Sequence, residues 1–181
     1  AASLGALAGR VQEAVLKPLV GLLEDSDHAV RMAAAESLIA YATSGGSFSS
    51  HAAELEKKLS SFFLQGNLEE RRAALRVAAR AGLTSILRQA VRDGNDSLRL
   101  EAIKSAAGMD PPALEILQAG AEDRQGLVCA EAVRALAAAS GKGPDRVLPV
   151  FEAMLRSSDA STRRMGAMAL GDVIGAPETT S

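Results

Sequence analysis

Residues 27–38 read DHAVRMAAAESL, and residues 159–170 read DASTRRMGAMAL. Both blocks begin with an aspartate, place an arginine four residues later and a small residue three positions further on, and end on a leucine. An aspartate side chain can accept hydrogen bonds from the free N–H groups at a helix start. Because residues four apart lie on one face of a helix, each block predicts a capped helix with one apolar face.

Three further blocks in the same register lie between these two and begin at Asn67, Asn95 and Gln125. The arginine position of the five blocks is occupied by Arg31, Arg71, Arg99, Cys129 and Arg163. Another apolar stretch with helical spacing precedes each block, as in Val11 to Leu23. The sequence therefore predicts repeated units of helix, tight turn and helix. The predicted units are 1–9 (partial), 10–43, 51–81, 82–108, 111–140 and 144–175, in a single array over 1–181.

The composition favours the same architecture. The chain has 181 residues, of which 36 are alanine, and it has no tryptophan and only 3% aromatic residues. Alanine and leucine are strong helix formers, and small residues let helices approach closely. The single cysteine excludes a disulfide framework, and the sequence has neither a membrane-length apolar run nor a visible signal peptide. The residue at position 1 is not methionine, which favours an excised or processed chain.

The block pattern resembles the HEAT-repeat family, in particular the short bacterial type also found in phycobilin lyase subunits. The residues that carry this resemblance are Asp27, Val30-Arg31, Ala34 and Leu38, with Pro18 and Pro149 inside first helices. The resemblance implies an all-α, right-handed α-α superhelix of about five helix pairs after a leading partial helix. It also implies that the arginines and capping residues support the turns by hydrogen bonds. These predicted ladder residues are Asp27, Arg31, Asn67, Arg71, Asn95, Arg99, Asp159 and Arg163.

No catalytic constellation, metal-ligand set or cofactor motif stands out. The sequence lacks a His-Glu-x-x-His motif, a phosphate-binding glycine loop and a glycine-flanked nucleophilic serine. Cys129 lies among alanines and is interpreted as a packed thiol, and His28 as a solvated first-turn side chain. The segment 41–50, rich in glycine and serine, is interpreted as a mobile insertion. We expect a non-enzymatic protein without metal or cofactor.

Charge distribution gives the best functional indication. Net charge is −2, yet residues 66–108 carry eight basic and five acidic groups, which gives +3. In HEAT-type solenoids the second helices line the concave side, so the resemblance implies a basic column there, formed by Arg72, Arg76, Lys104 and Arg134. Such a column would suit an acidic partner, although helix surfaces also carry basic residues for solubility alone.

The leading hypothesis is a non-catalytic scaffold, expected in the cytoplasm, that binds a protein partner through this concave face. One alternative is an accessory subunit of a bilin lyase type complex. Another is a binder of nucleic-acid phosphate backbones, although the few aromatic residues disfavour recognition of bases. Self-association through uncapped terminal repeats is also predicted, and so is a place within a larger protein.

Overall fold

The computed structural model describes residues 14–140 and 144–175, and these residues form helices and turns without any strand. Two 3₁₀ turns, Leu22–Glu24 and Ser49–His51, precede α2 and α3. The helices are α1 (14–21 as described), α2 (His28–Thr43), α3 (Ala52–Gln65), α4 (Leu68–Arg80), α5 (Thr84–Ala90), α6 (Asp96–Ala107), α7 (Leu114–Ala121), α8 (Gly126–Ser140), α9 (Pro144–Leu155) and α10 (Ala160–Gly175). The predicted all-α class and helix–turn–helix pairs are thereby confirmed.

Side-chain caps begin the second helix of each pair. The Asp27 carboxylate accepts from the backbone N–H groups of Ala29 and Val30. Asn67 forms a full capping box with Glu70, whose carboxylate accepts from the backbone N–H of Asn67. Gln125, the weakest capping residue by type, also caps its helix, because its Oε1 accepts from Val128 N at 3.1 Å. These caps satisfy N–H groups that the helix itself leaves free.

The chain divides into two compact units, residues 1–86 and 87–181, with the boundary inside α5. In the first unit the second helices α2 and α4 pack against each other, and α3 packs on α4. In the second unit α6, α8 and α10 pack in chain order, α7 lies between α6 and α8, and α9 contacts α8 and α10. Within each unit, consecutive helix pairs therefore stack in the order of the sequence, as in a solenoid.

Aliphatic side chains fill both units at close backbone spacing. Ala34, Leu38, Ala74 and Leu98 are buried, and Phe63 is one of the largest fully buried side chains. The closest approach among the described glycines is at Gly120 in α7, where an added Cβ would overlap the Ile103 side chain of α6 and lie 3.0 Å from Ala132 Cβ of α8. An alanine-rich composition with few aromatic residues is thus sufficient for a packed core, because the helices approach closely.

The segment 41–50, predicted to be a mobile insertion, contains packed residues. Residues Tyr41 to Thr43 complete α2, and the Tyr41 hydroxyl donates to Ser47 O at 3.0 Å. The Tyr41 and Phe48 rings meet edge to face with centroids 5.3 Å apart, and Phe48 is buried. The aromatic pair and the tyrosine hydrogen bond fold the glycine-rich turn back onto α2. The predicted partial helix at 1–9 and residues 141–143 lie outside the described residues, and the single right-handed array remains a prediction.

Candidate interaction surface

Three arginines of the block pattern bind the turn that precedes their own helix, namely Arg31, Arg99 and Arg163. Nη1 of Arg31 donates to the carbonyl oxygens of Asp25 and Ser26 at 2.7 and 2.9 Å. Arg99 Nη1 makes the same pair of bonds to Asp93 and Gly94, at 2.9 and 3.3 Å. Arg163 Nη1 repeats them on Ser157 and Ser158, at 2.7 and 2.8 Å. In each case the two acceptors lie six and five residues before the arginine, so one guanidinium satisfies two turn carbonyls. In the second block, Arg71 Nε donates to Phe63 O of α3 at 3.0 Å, and its guanidinium lies 4.6 Å from the centre of the Phe63 ring.

In the second unit, the other edge of the guanidinium binds the following helix pair. Arg99 Nε and Nη2 lie 2.6 and 3.1 Å from the two carboxylate oxygens of Asp123, and both side chains are 7% exposed. Asp123 Oδ1 also accepts from Gln125 N, which orients the carboxylate. We call this arrangement a turn clasp: an arginine that holds its own turn carbonyls and a carboxylate of the next pair. Burial alone would raise the pKa of Asp123, but the hydrogen bonds from Arg99 and Gln125 outweigh it and lower that pKa below 3.8.

In the first unit, the turn clasp uses a different carboxylate. Glu70 of α4 is 2% exposed, and its Oε1 lies 2.8 Å from Arg31 Nε and 2.9 Å from His28 Nδ1. Its Oε2 accepts from Asn67 N at 2.7 Å. Burial alone would raise the pKa of Glu70, but the hydrogen bonds from His28, Asn67 and Arg31 lower it below 4.5. His28 is about half exposed, yet it is not simply solvated as the sequence had indicated.

The fourth block lacks both polar members of a turn clasp. Cys129 stands at the arginine position, and Ser157 stands where Asp123 stands in the preceding pair. The Cys129 thiol donates to Ala121 O at 3.1 Å and is buried. Burial and the nearby carboxylates of Asp123 and Asp159 raise the pKa of this thiol, so it stays protonated. The arginine and the acid are thus both absent at this junction.

Sequence reasoning missed the carboxylates that the arginines bind. Neither Asp123 nor Glu70 is among the residues predicted from the sequence. Two signals were available: Glu70 lies three residues after a capping Asn67, and Asp25, Asp93 and Asp123 each lie two residues before a capping residue. Each of those three aspartates accepts from the backbone N–H of that capping residue at 2.8 Å.

A polar groove of about 400 Å³ lies over the turn clasp of the first unit and is lined by Asp25, Arg31 and Glu70 among others. Its charged groups already bind one another: Arg31 holds Glu70, and Glu24 at the rim accepts from Lys58. A second groove, lined by Arg99 and Arg124, covers the corresponding turn of the second unit. We therefore assign both grooves to the turns and not to a ligand.

The predicted binding residues lie on the second helices. In the first unit, Arg76 is exposed on α4, and Arg72 is partly buried one turn earlier. Arg72 Nε is buried without a hydrogen-bond acceptor among the described residues. Arg80, which sequence reasoning did not select, is exposed one turn after Arg76. Positions 72, 76 and 80 thus form one stripe along the helix.

In the second unit, Lys104 on α6 and Arg134 on α8 are both exposed. Arg134 is bound to Glu131 on its own helix, with Nη2 and Oε1 2.5 Å apart. The charge of Arg134 is therefore partly compensated. Lys104 forms no ion pair with any described residue, so its charge is more available to a partner. Among the described residues, no group of three histidine, cysteine or acidic side chains is placed to hold a metal ion. No described helix combines the length and apolarity that crossing a bilayer requires.

Stacked helix pairs joined at their turns define an all-α helical-repeat protein. Within it, residues 15–44, which span most of the first helix pair, match the family described as HEAT repeat. Among solved structures, the chain is similar to an engineered protein from the Northeast Structural Genomics Consortium, with 20% identity, a TM-score of 0.50, and coverage of 92% of this chain and 84% of that one. A second engineered protein from the same source has 22% identity and a TM-score of 0.49 over 90% of this chain, which spans 48% of that one. No curated protein matches the sequence.

The lowered pKa values of Glu70 and Asp123 predict a loss of stability in acid. Each carboxyl binds fewer protons in the folded than in the unfolded chain near its ordinary pKa, so stability is present above that value and falls as pH drops through the folded pKa. We expect the urea midpoint, followed by far-UV circular dichroism, to fall between about pH 5 and pH 2, and to fall less steeply in Glu70→Gln. Glu69→Gln, on the exposed side of the same turn, is the matched control. Equal slopes in all three proteins would contradict the prediction.

Proposed function

We propose that this protein is a non-catalytic repeat scaffold that binds an acidic protein partner through the exposed faces of its second helices. The observation that carries the proposal is the arginine stripe of α4: Arg72, Arg76 and Arg80. Arg72 Nε lacks an acceptor, and Arg80 forms no ion pair with any described residue. Because that Nε is shielded from solvent, the proposal places the partner's carboxylates on the exposed Arg80 and on the exposed side of the helix beside it.

Spacing and helix geometry support a peptide ligand for this stripe. Successive arginines are four residues apart, which places them about 6 Å apart along the helix axis. Carboxylates on a partner helix at the same interval would face this stripe, and an extended acidic segment would also reach along it. In the second unit, Lys104 and Arg134 are also exposed on second helices, and they are proposed to bind acidic groups there, where Glu131 competes for Arg134.

We expect a fluorescein-labelled oligoglutamate peptide to bind, with anisotropy rising at low salt. Arg76→Glu/Arg80→Glu should weaken binding at least about tenfold, because the stripe changes from three positive charges to net negative. Lys17→Glu/Lys57→Glu is the matched control, since it changes exposed lysines of first helices in the same unit by the same total charge. Arg80→Glu alone serves if the double variant unfolds.

A labelled DNA duplex, titrated in parallel, separates the partner classes. Binding to the duplex with a steep salt dependence and little affinity for oligoglutamate would support a phosphate-backbone ligand instead and would contradict the acidic-protein proposal. Equal binding of the stripe variant and the lysine control to the peptide would show that overall charge, and not this surface, is responsible.

A further inference from the structure

The outer faces of the first and last described helix pairs carry complementary halves of a turn clasp. Asp25 precedes its capping residue as Asp123 does, and its Oδ1 accepts from Asp27 N at the same 2.8 Å as Asp123 Oδ1 from Gln125 N. Asp123 is bound by the arginine of the preceding pair, whereas Asp25 forms no ion pair with any described residue. Asp25 therefore presents an oriented carboxylate without its cation.

The last described pair presents the opposite half. Arg163 Nη1 holds the carbonyls of Ser157 and Ser158 as Arg99 Nη1 holds those of Asp93 and Gly94. Arg99 uses Nε and Nη2 for Asp123, but the same atoms of Arg163 bind none of the described residues. Because the bonds to the turn fix the guanidinium, its free edge is already oriented for a carboxylate.

Apolar side chains beside the two half-clasps are exposed at positions that are buried elsewhere. Leu22 is 38% exposed, while its counterparts nine residues before the arginine position include Phe62 and Met154, which are 4% and 2% exposed. Gly120, also at this position, faces Ile103 of the preceding pair. At Gly120 this position packs on the preceding pair, and Leu22 has no preceding pair among the described residues.

Leu155 shows the same exception at the other end. It is 40% exposed, whereas its counterparts eight residues before the arginine position, such as Leu23 and Ala121, are 1% and 0% exposed. In the fourth block this position lies directly beside the arginine position, because Cys129 Sγ contacts Ala121 O. Val15 and Leu148, each seven residues before one of these leucines, are also at least 40% exposed.

We infer that copies of this chain associate head to tail, with Arg163 of one copy bound to Asp25 of the next. Leu148 and Leu155 of the first copy would then pack against Val15 and Leu22 of the second. The contact reproduces the junction between α5–α6 and α7–α8, where an arginine, an oriented aspartate and apolar neighbours occur together. It joins two different surfaces, so it is heterologous, and symmetry does not close it at a dimer.

Sedimentation velocity over a concentration series tests this inference. We expect reversible, concentration-dependent growth, weak because one exposed ion pair contributes little and the apolar ridges are short. Arg163→Glu and Asp25→Lys, each alone, should raise the apparent Kd at least about tenfold, since like charges then meet. Arg164→Glu and Glu36→Lys, which change exposed side chains of α10 and α2 by the same charge, should not.

A mixture of the Arg163→Glu and Asp25→Lys proteins gives the decisive result. One junction then pairs the native arginine with the native aspartate, and the other pairs the two reversed charges, so association should return to near the wild-type level. Asp25→Asn keeps the bond to Asp27 N and removes only the charge, which separates loss of the clasp from damage to the turn. A wild-type protein that stays monomeric throughout, association that survives either reversal, or a mixture without recovery would overturn the inference.

Discussion

Replacing Arg99 by methionine should destabilise the second unit by about 3–5 kcal/mol, because it leaves the buried Asp123 carboxylate without its cation. The Arg99 and Asp123 side chains are each only 7% exposed, and Arg99 also satisfies the carbonyls of Asp93 and Gly94. The carbonyls keep access to solvent more easily than the carboxylate does, so the unpaired charge dominates the loss. Urea unfolding followed by far-UV circular dichroism measures it.

A double-mutant cycle isolates the contact between these two residues. Arg99→Met/Asp123→Leu should recover much of the stability lost in Arg99→Met, since replacing both members of a buried ion pair by apolar residues is often close to neutral. The matched control is Arg88→Met, which breaks the exposed pair with Glu115 and should cost no more than about 1 kcal/mol. If Arg99→Met and Arg88→Met lost the same amount, burial of the clasp would not contribute to stability.

The helices and their pairing could be predicted from sequence because each of their causes is local. A cap such as Asp27, the apolar spacing from Val30 to Leu38, and alanines at close contacts all act within a few residues of one another. The repeat then supplied the register for pairs with poorer local signals, and Gln125 caps its helix where its residue type alone is a weak indicator. The repeat period therefore predicts a helix start at Gln125 that the residue type alone would not predict.

The turn clasps were harder to predict because their members come from different pairs. The distance in sequence from Arg99 to Asp123 differs from that between Arg31 and Glu70, and the acceptor changes from a turn aspartate to a helix glutamate. No fixed spacing expresses such a contact. Only the backbone shows that both carboxylates reach the same edge of an arginine, and only side-chain burial shows that Arg72 Nε lacks an acceptor while Arg80 remains exposed.

The packing of α7 depends on the absence of a side chain at Gly120, and Gly120→Val should cost about 3 kcal/mol or more. A Cβ there would overlap the Ile103 side chain and lie 3.0 Å from Ala132 Cβ, so α7 would have to move away from α6, α8 or both. Gly126→Val is the matched control, because Gly126 has open space at its Cβ position and lies at the start of α8. We expect its effect on the urea midpoint to be much smaller.

A compensating change tests whether the clash with Ile103 is the cause. Ile103→Val removes the Cδ1 atom that lies closest to the Gly120 Cβ position, so Ile103→Val/Gly120→Ala should lose less stability than the two single variants added together. Additive losses would mean that the cost arises at Ala132, on the other side of α7. A smaller loss in the double variant would show that the clash with Ile103 causes the destabilisation. The absence of a side chain at Gly120 on α7 would then be what makes room for the isoleucine on α6.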